Sequence, residues 1–173
     1  PHGYVGDDTL DCGLGGHRLN AQGGTDKATY LTRTTPVAVS LDGVTNDGAA
    51  GEGDNVAADI ENVNGGLAAD TIVGSAAANY LNGSSGDDTI SGAAGNDSLE
   101  GADGNDTLNG NAGVDRVFGH NGADILHGNE DGDSLYGGAN NDYLYGDAGN
   151  DTLSGGDGTD YCSVGADSGS KAT

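Results

Sequence analysis

The sequence predicts an all-β fold, a right-handed parallel β-roll (a β-solenoid) of nonapeptide repeats with 18 residues in each coil. The main observation is that residues 64–162 divide into eleven consecutive nonapeptides without an insertion. The second position is Gly in all eleven, the seventh is Asp in ten and the ninth is aliphatic in ten. The chain also contains 35 Gly, which disfavours helices. A period of nine fits neither a coiled coil nor an amphipathic helix.

Each column of the repeat has a structural interpretation. Gly permits the φ > 0 conformations of tight turns and lets backbones approach closely. A single aliphatic residue among polar neighbours predicts a very short strand with one side chain facing inward. Two turn–strand units then form one coil, and stacked coils form two parallel sheets around a thin aliphatic core. Residues 18 positions apart should lie roughly 4.8 Å apart along the stack.

The Asp column is predicted to form two rows of carboxylates, one along each edge of the stack. One row contains Asp70, Asp88, Asp106, Asp124, Asp142 and Asp160. The other follows Asn79 and contains Asp97, Asp115, Asp133 and Asp151. In a chain with a net charge of −23, such rows repel strongly unless a cation neutralises them.

The composition favours Ca²⁺ as that cation. Only four of the 28 acidic residues are Glu, and Asp is the shorter carboxylate that turns and hard cations favour. Ca²⁺ takes about six to eight oxygens from carboxylates and backbone carbonyls together. Zn²⁺ prefers Cys and His ligands, and Mg²⁺ keeps its waters in octahedral geometry. The fifth-position glycines are predicted to supply carbonyls: Gly86, Gly95, Gly104, Gly122, Gly149 and Gly158.

Three segments resemble a known repeat closely. GAAGNDSLE (residues 92–100), GADGNDTLN (101–109) and GDAGNDTLS (146–154) are similar to GGxGxDx(aliphatic)x, the hemolysin-type calcium-binding repeat of the RTX family. The resemblance implies a parallel β-roll with Ca²⁺ in the turns, in a protein that leaves the cell before it folds. We therefore expect a secreted, extracellular location. Rolls of this family accompany proteases, lipases and alginate epimerases.

Departures from the pattern predict where Ca²⁺ binds poorly. Asn79 replaces Asp in the first coil, and Ala68 and Ala77 replace its turn glycines. Counting Asp pairs 18 residues apart, we expect about six to eight Ca²⁺ within residues 64–162.

The N-terminal region looks like worn repeats followed by an interruption. In residues 1–28, Asp8 and Asp26 fall in the ligand column 18 residues apart, so one or two more Ca²⁺ are expected there. His17 stands in the same column between them. Residues 29–63 break the register. They contain the alternating Val37, Val39 and Leu41, which predict a half-buried strand.

An acidic, Gly-rich loop follows that strand, at residues 42–55. We interpret it as either a solvated loop or an additional Ca²⁺ site. Its candidate ligands are Asp42, Asp47, Glu52 and Asp54. Residues 163–173 form a C-terminal tail.

Several function classes are disfavoured. Five Lys and Arg are too few to bind nucleic acid, and no apolar run approaches the ~20 residues of a membrane span. We find no metalloprotease, nucleophile-elbow or phosphate-loop motif, so the chain is not expected to be an enzyme. The absence of an initiator Met and of a signal peptide predicts a mature product or a fragment. Cys12 and Cys162 should lie too far apart along the stack for an internal disulfide.

We interpret the chain as a secreted calcium-binding roll that folds when Ca²⁺ binds. A structural role, as a matrix, adhesin or filament segment with head-to-tail self-assembly, is the first hypothesis. The alternatives are an accessory domain of a secreted enzyme or toxin, and a carbohydrate-binding module. The last would use exposed aromatic residues, which also fit simple cross-strand packing: Tyr143, Tyr145 and Tyr161.

Overall fold

Nineteen short β-strands and no helix make up the described part of the computed structural model, residues 5–165 and the backbone of 171–172. The start of the worn repeats, residues 1–4, and most of the C-terminal tail lie outside the described residues. The all-β class predicted from the nonapeptides is confirmed.

The strands form two long sheets and one small one. Sheet 1 contains, in spatial order, β1 (Thr9–Asp11), β3 (Lys27–Thr29), β7 (Asn62–Asn64), β9 (Tyr80–Ser85), β11 (Ser98–Asp103), β13 (Arg116–Asn121), β15 (Ser134–Ala139), β17 (Thr152–Asp157) and β19 (Lys171–Ala172). Sheet 2 contains β18 (Tyr161–Ser163), β16 (Tyr143–Asp147), β14 (Ile125–Glu130), β12 (Thr107–Ala112), β10 (Thr89–Ser91), β8 (Thr71–Val73), β4 (Val37–Ser40) and β5 (Gly48–Ala49). The small sheet pairs β2 (Arg18–Leu19) with β6 (Asn55–Val56).

The strand register confirms the predicted coil of 18 residues. In sheet 2, Ile90 lies beside Leu108 in a parallel pair, and in sheet 1 Leu99 lies beside Val117. The aliphatic column faces inward between the two sheets. Its side chains from Ile72 to Leu153 are 0% exposed. The chain is therefore a parallel β-solenoid with a thin aliphatic core.

The strands are longer than the single inward residue predicted. β12 spans six residues, and both Leu108 and Gly110 are buried on its inner face. The second-position glycines thus also face inward, which lets the pairing continue beyond the aliphatic residue. The sequence interpretation assigned these glycines to the turn alone, and that part was wrong.

Residues 29–63, hereafter the insert, are built into the N-terminal end of sheet 2. β4 pairs in parallel with β8 and antiparallel with β5. An antiparallel bridge between Asp47 and Asp54 then leads to β6, which pairs with β2. Across the insert, Lys27 lies beside Asn62, a separation of 35 residues instead of 18. Val37 and Val39 are buried on one face of β4, as their alternation predicted.

Both cysteines are free thiols. Cys12 is fully buried, and burial raises the pKa of its thiol to about 12. Cys162 continues the aliphatic column beside Leu144.

The third position of each nonapeptide holds a left-handed backbone in several non-glycine residues. Ala102, for example, has φ 81°. This conformation costs an L-residue with a Cβ roughly 1–2 kcal/mol, a cost that Gly does not carry. We expect Ala102→Gly to raise the free energy of unfolding by about 1 kcal/mol, measured by urea unfolding in the presence of Ca²⁺. Ala112→Gly, within strand β12, is the control and should lower it. Equal effects of the two substitutions would contradict the prediction.

Candidate metal centre

The seventh-position aspartates form two continuous rows along the edges of the solenoid. In each row, one carboxylate oxygen, Oδ1, accepts a hydrogen bond from the backbone N–H of the aspartate one coil earlier. The distance is 2.8 Å from Asp88 N to Asp106 Oδ1, from Asp106 N to Asp124 Oδ1 and from Asp97 N to Asp115 Oδ1. The rows end at Asp160 and Asp151, whose Oδ1 atoms lie 3.0 Å from the preceding donors. The predicted alignment of the aspartates is therefore present.

The second carboxylate oxygen, Oδ2, is buried. In seven aspartates this atom has no hydrogen-bond partner among the described residues, and the side chains are at most 3% exposed. They are Asp88, Asp97, Asp106, Asp115, Asp124, Asp133 and Asp142. Burying an acceptor without a donor costs about 1–3 kcal/mol, and more when it is charged. A row of such oxygens needs an outside partner.

The orphaned oxygens face other oxygens. A methyl group added to Gly119 would meet Asp124 Oδ2 and, at 2.6 Å, the carbonyl oxygen of Gly137 in the next coil. The same arrangement recurs at Gly137, where the second oxygen is the carbonyl of Gly155 at 2.5 Å. Two acceptors that converge without a hydrogen between them form an electronegative cradle, which suits a hard cation.

Burial and mutual repulsion make these carboxylates reluctant to ionise. Burial first, and then the charges of neighbouring aspartates, raise the pKa of Asp88 and Asp133 to about 7. Burial and Asp115 raise the pKa of Asp97 to about 7, and the same causes raise the pKa of Asp106 and Asp142 to about 6. At neutral pH the rows are thus poised to take up either protons or a cation.

The fifth-position glycines lie in the turns with φ between 112° and 157°. They are Gly86, Gly95, Gly104, Gly122, Gly149 and Gly158. The carbonyl oxygen of Gly86 points at Gly104 in the next coil, where a Cβ would collide with it. The sequence interpretation chose these carbonyls but missed those of the second-position glycines, which meet the orphaned Oδ2 atoms. The unbroken Gly column at that position was the available signal.

The first coil differs from the later ones. Asp70 Oδ2 accepts a hydrogen bond of 2.5 Å from the backbone N–H of Gly66. Asn79 Oδ1 accepts one of 2.7 Å from Ser75 N–H, and Asn79 Nδ2 donates to the carbonyl oxygen of Glu61 at 3.1 Å. The oxygens that are orphaned in later coils are therefore engaged here, in the coil where poor Ca²⁺ binding was expected.

The second row continues through the insert to the N-terminal region. Asp8 N–H donates to Asp26 Oδ1 at 2.9 Å, and Asp26 N–H donates to Glu61 Oε2 at 2.8 Å. Asp26 is 0% exposed, and its Oδ2 has no partner in the described part of the chain. Glu61 thus occupies the place of the repeat aspartate. Periodicity could not identify it, because the insert shifts the register.

The carboxylates of the acidic loop do not form a cluster. Asp47 accepts hydrogen bonds from the N–H groups of Ser40 at 2.6 Å and Val56 at 2.7 Å. Glu52 forms an ion pair with Arg33. Protein donors therefore satisfy these side chains, which argues against an additional Ca²⁺ in this loop.

A second polar column stabilises the turns from outside. Asp87 Oδ1 accepts from Asn105 N–H at 2.8 Å, and Asn105 Oδ1 accepts from Ala123 N–H at 2.9 Å. These sixth-position side chains bond to the following coil, whereas the seventh-position aspartates bond to the preceding one. The sequence interpretation did not identify this ladder, although Asp or Asn recurs at the sixth position.

No group of three or more His, Cys, Asp or Glu side chains within the described ranges could hold a metal ion by itself. Any cation in the rows must therefore take backbone carbonyls as ligands. Residues 5–165 also contain no helix long and apolar enough to cross a membrane.

Comparison with known proteins agrees with this geometry. The family model of the RTX calcium-binding nonapeptide repeat matches residues 64–99, 92–126, 100–135, 127–162 and 136–169. A search of curated proteins returned no match. The matched repeats cover more than half of the chain and coincide with the two carboxylate rows. The chain therefore belongs to the family of RTX calcium-binding nonapeptide repeats.

Proposed function

We propose that the chain is a secreted calcium-binding roll that folds when Ca²⁺ occupies its turns. The observation that carries this proposal is the set of seven buried Oδ2 atoms that face backbone carbonyls of the next coil. Each cation would be held by aspartates of one row together with turn carbonyls. When bound, Ca²⁺ supplies positive charge that turns repulsion along the rows into attraction.

We assign the first sites to the seven aspartates with orphaned oxygens and extend them to the row ends, Asp151 and Asp160. With the roughly 18-residue spacing, this supports about six to eight Ca²⁺ in residues 64–162. Asp26 and Asp8 would add one at the N-terminal end. Asp70 belongs to the row, but its engaged Oδ2 makes it the weakest member.

The physiological role that we propose is structural. The described carboxylates are fixed in rows by backbone N–H groups, an arrangement that suits cation binding better than proton transfer. β18 is the last strand of sheet 2 in the described region, and such an open edge is a template for another chain. We expect electron microscopy to show head-to-tail filaments with Ca²⁺ and none in chelator. Monodisperse particles of one-chain mass in both conditions would contradict the filament role but not calcium binding.

The aromatic residues favour packing over carbohydrate binding. Tyr145 stacks on His127 with ring centroids 4.7 Å apart and an interplanar angle of 9°. Tyr161 contacts both Tyr143 and Tyr145, at 6.1 and 5.6 Å. The rings thus cover one another's faces along the stack and present mainly their edges. A sugar ring binds to a free aromatic face, so this surface does not support a second candidate function.

Acid should partly replace Ca²⁺. The ion-free folded roll binds more protons than the unfolded chain, because its buried pKa values of about 6 to 7 exceed the ordinary value of about 4. The stability that these protons confer is fully present below about pH 4 and is lost as the pH rises through 6 to 7. We expect circular dichroism in calcium-free buffer to show more β-structure at pH 5 than at pH 8. In addition, the Ca²⁺ midpoint for folding should rise on acidification. A pH-independent midpoint would contradict the prediction.

A further inference from the structure

We propose that the insert and the first coil, together residues 29–81, form a calcium-independent core from which the rest of the roll assembles when Ca²⁺ is added. We refer to residues 29–81 as the N-terminal core. This inference rests on the proposed calcium-coupled folding and divides the chain into a part that needs the cation and a part that does not.

The first argument is that the buried aspartates of the N-terminal core already have protein donors. Asp54 is 0% exposed; its Oδ1 accepts from His17 N–H at 2.7 Å and its Oδ2 from the Tyr30 hydroxyl at 3.3 Å. Asp47 accepts from two backbone N–H groups, at 2.6 and 2.7 Å. Neither carboxylate depends on a cation for its hydrogen bonds.

The first coil follows the same rule. Asp70 Oδ1 accepts from Val37 N–H at 2.8 Å, which joins this coil to the insert, and Oδ2 accepts from Gly66 N–H at 2.5 Å. At the matching position of the other row, Asn79 carries no charge. Ca²⁺ would therefore add little to the stability of this coil.

The N-terminal core also has the larger hydrophobic interior. Tyr30 is the only aromatic side chain that is fully buried among the described residues, at 1% exposed. It packs in one cluster with the buried aliphatic residues of the insert, which are Val37, Val39, Leu41, Val56, Ile60 and Val63. Arg33, 6% exposed, adds a buried ion pair with Glu52. A later coil has only two aliphatic side chains to bury, one for each nonapeptide.

Beyond residue 81 the balance reverses. Each coil from Asp88 to Asp142 carries buried carboxylate oxygens without a partner in the described structure. In a solenoid, each coil contacts mainly its neighbours, so folding can begin at one stable unit and propagate from it. The edge of β9, at the end of the N-terminal core, would be the template for β11. On the other side of the core, Asp26 has the same orphaned oxygen, and its coil is expected to need Ca²⁺.

Hydrogen–deuterium exchange of the full chain, in chelator and in millimolar Ca²⁺, tests this division. In chelator we expect slow exchange for the amides of β4, β6, β7 and β8, and exchange at the rate of an unfolded chain for those of β11 to β17. In Ca²⁺ both sets should be protected. If all amides exchange rapidly in chelator, the N-terminal core is overturned and calcium-coupled folding stands. If all are protected in chelator, calcium-coupled folding fails, and the inference fails with it.

Two substitutions separate a nucleus from a passive segment. Tyr30→Ala should abolish the protection of the N-terminal core in chelator and slow Ca²⁺-induced folding at least tenfold, measured by stopped-flow circular dichroism. Leu135→Ala removes a buried side chain of similar exposure from a late coil. It should leave the protection of the core in chelator unchanged and mainly raise the Ca²⁺ concentration needed to fold its own coil. Equal slowing by the two variants would overturn the proposed order of assembly, even if Tyr30→Ala folds poorly.

Discussion

Removal of Ca²⁺ at neutral pH is expected to unfold residues 82–162. The free energy from one site is RT ln(1 + [Ca²⁺]/Kd), about 1.4–2.7 kcal/mol when the ion exceeds Kd by 10- to 100-fold. About six sites then contribute roughly 8–16 kcal/mol, which equals the whole stability of a typical domain. The same rows without cations carry buried, mutually repelling carboxylates. Loss of the ion therefore removes a stabilising contribution and exposes an unfavourable one.

Circular dichroism and calorimetry measure this effect. We expect the β-signal to disappear in chelator and to return cooperatively with Ca²⁺, and titration calorimetry to count about six to eight ions. Mg²⁺ at the same concentration is the control and should restore little structure, because it holds its waters and demands octahedral geometry. A chain that keeps its full β-signal in chelator at pH 8 would refute calcium-coupled folding.

The repeat explains why so much of the fold could be predicted from the sequence. An aliphatic residue every nine positions, such as Leu99 and Leu108, has only one way to remain buried in every coil, which is a parallel stack with an 18-residue turn. The same periodicity places Asp106 over Asp88, and the predicted rows follow directly. Non-local contacts could be predicted because identical units repeat them.

The insert could not be predicted in the same way. Alternation identified β4, but nothing in the sequence pairs β6 with β2 across 37 residues, from Arg18 to Asn55. Glu61 replaces the row aspartate without the motif around it. The choice of turn carbonyls failed for a different reason, since the sequence cannot show which oxygen of a Gly-rich turn faces the carboxylate. Local side-chain geometry decides that, as at Gly119.

Asp124→Ala is expected to be among the most damaging single substitutions in the roll. Asp124 lies in the middle of its row and is 0% exposed. The change deprives Asp106 N–H of its acceptor, which costs about 1–3 kcal/mol. It also removes a ligand from the sites on both sides, worth about 1.4–2.7 kcal/mol each. We expect the free energy of unfolding in Ca²⁺ to fall by about 4 kcal/mol or more, measured by urea unfolding.

Asp124→Asn distinguishes a cation ligand from a simple backbone cap. The amide keeps an oxygen for Asp106 N–H but has no negative charge for Ca²⁺, so the Ca²⁺ midpoint for folding should rise. In calcium-free buffer the effect should reverse, because Asn resembles the protonated carboxyl, and acid-induced folding should begin at a higher pH than in the unsubstituted chain. Asp157→Asn removes the same charge from an exposed position and should change either midpoint little. A cap without a cation would give Asn the same small effect in both buffers. The reversal of sign is therefore the observation that would assign Asp124 to a calcium site.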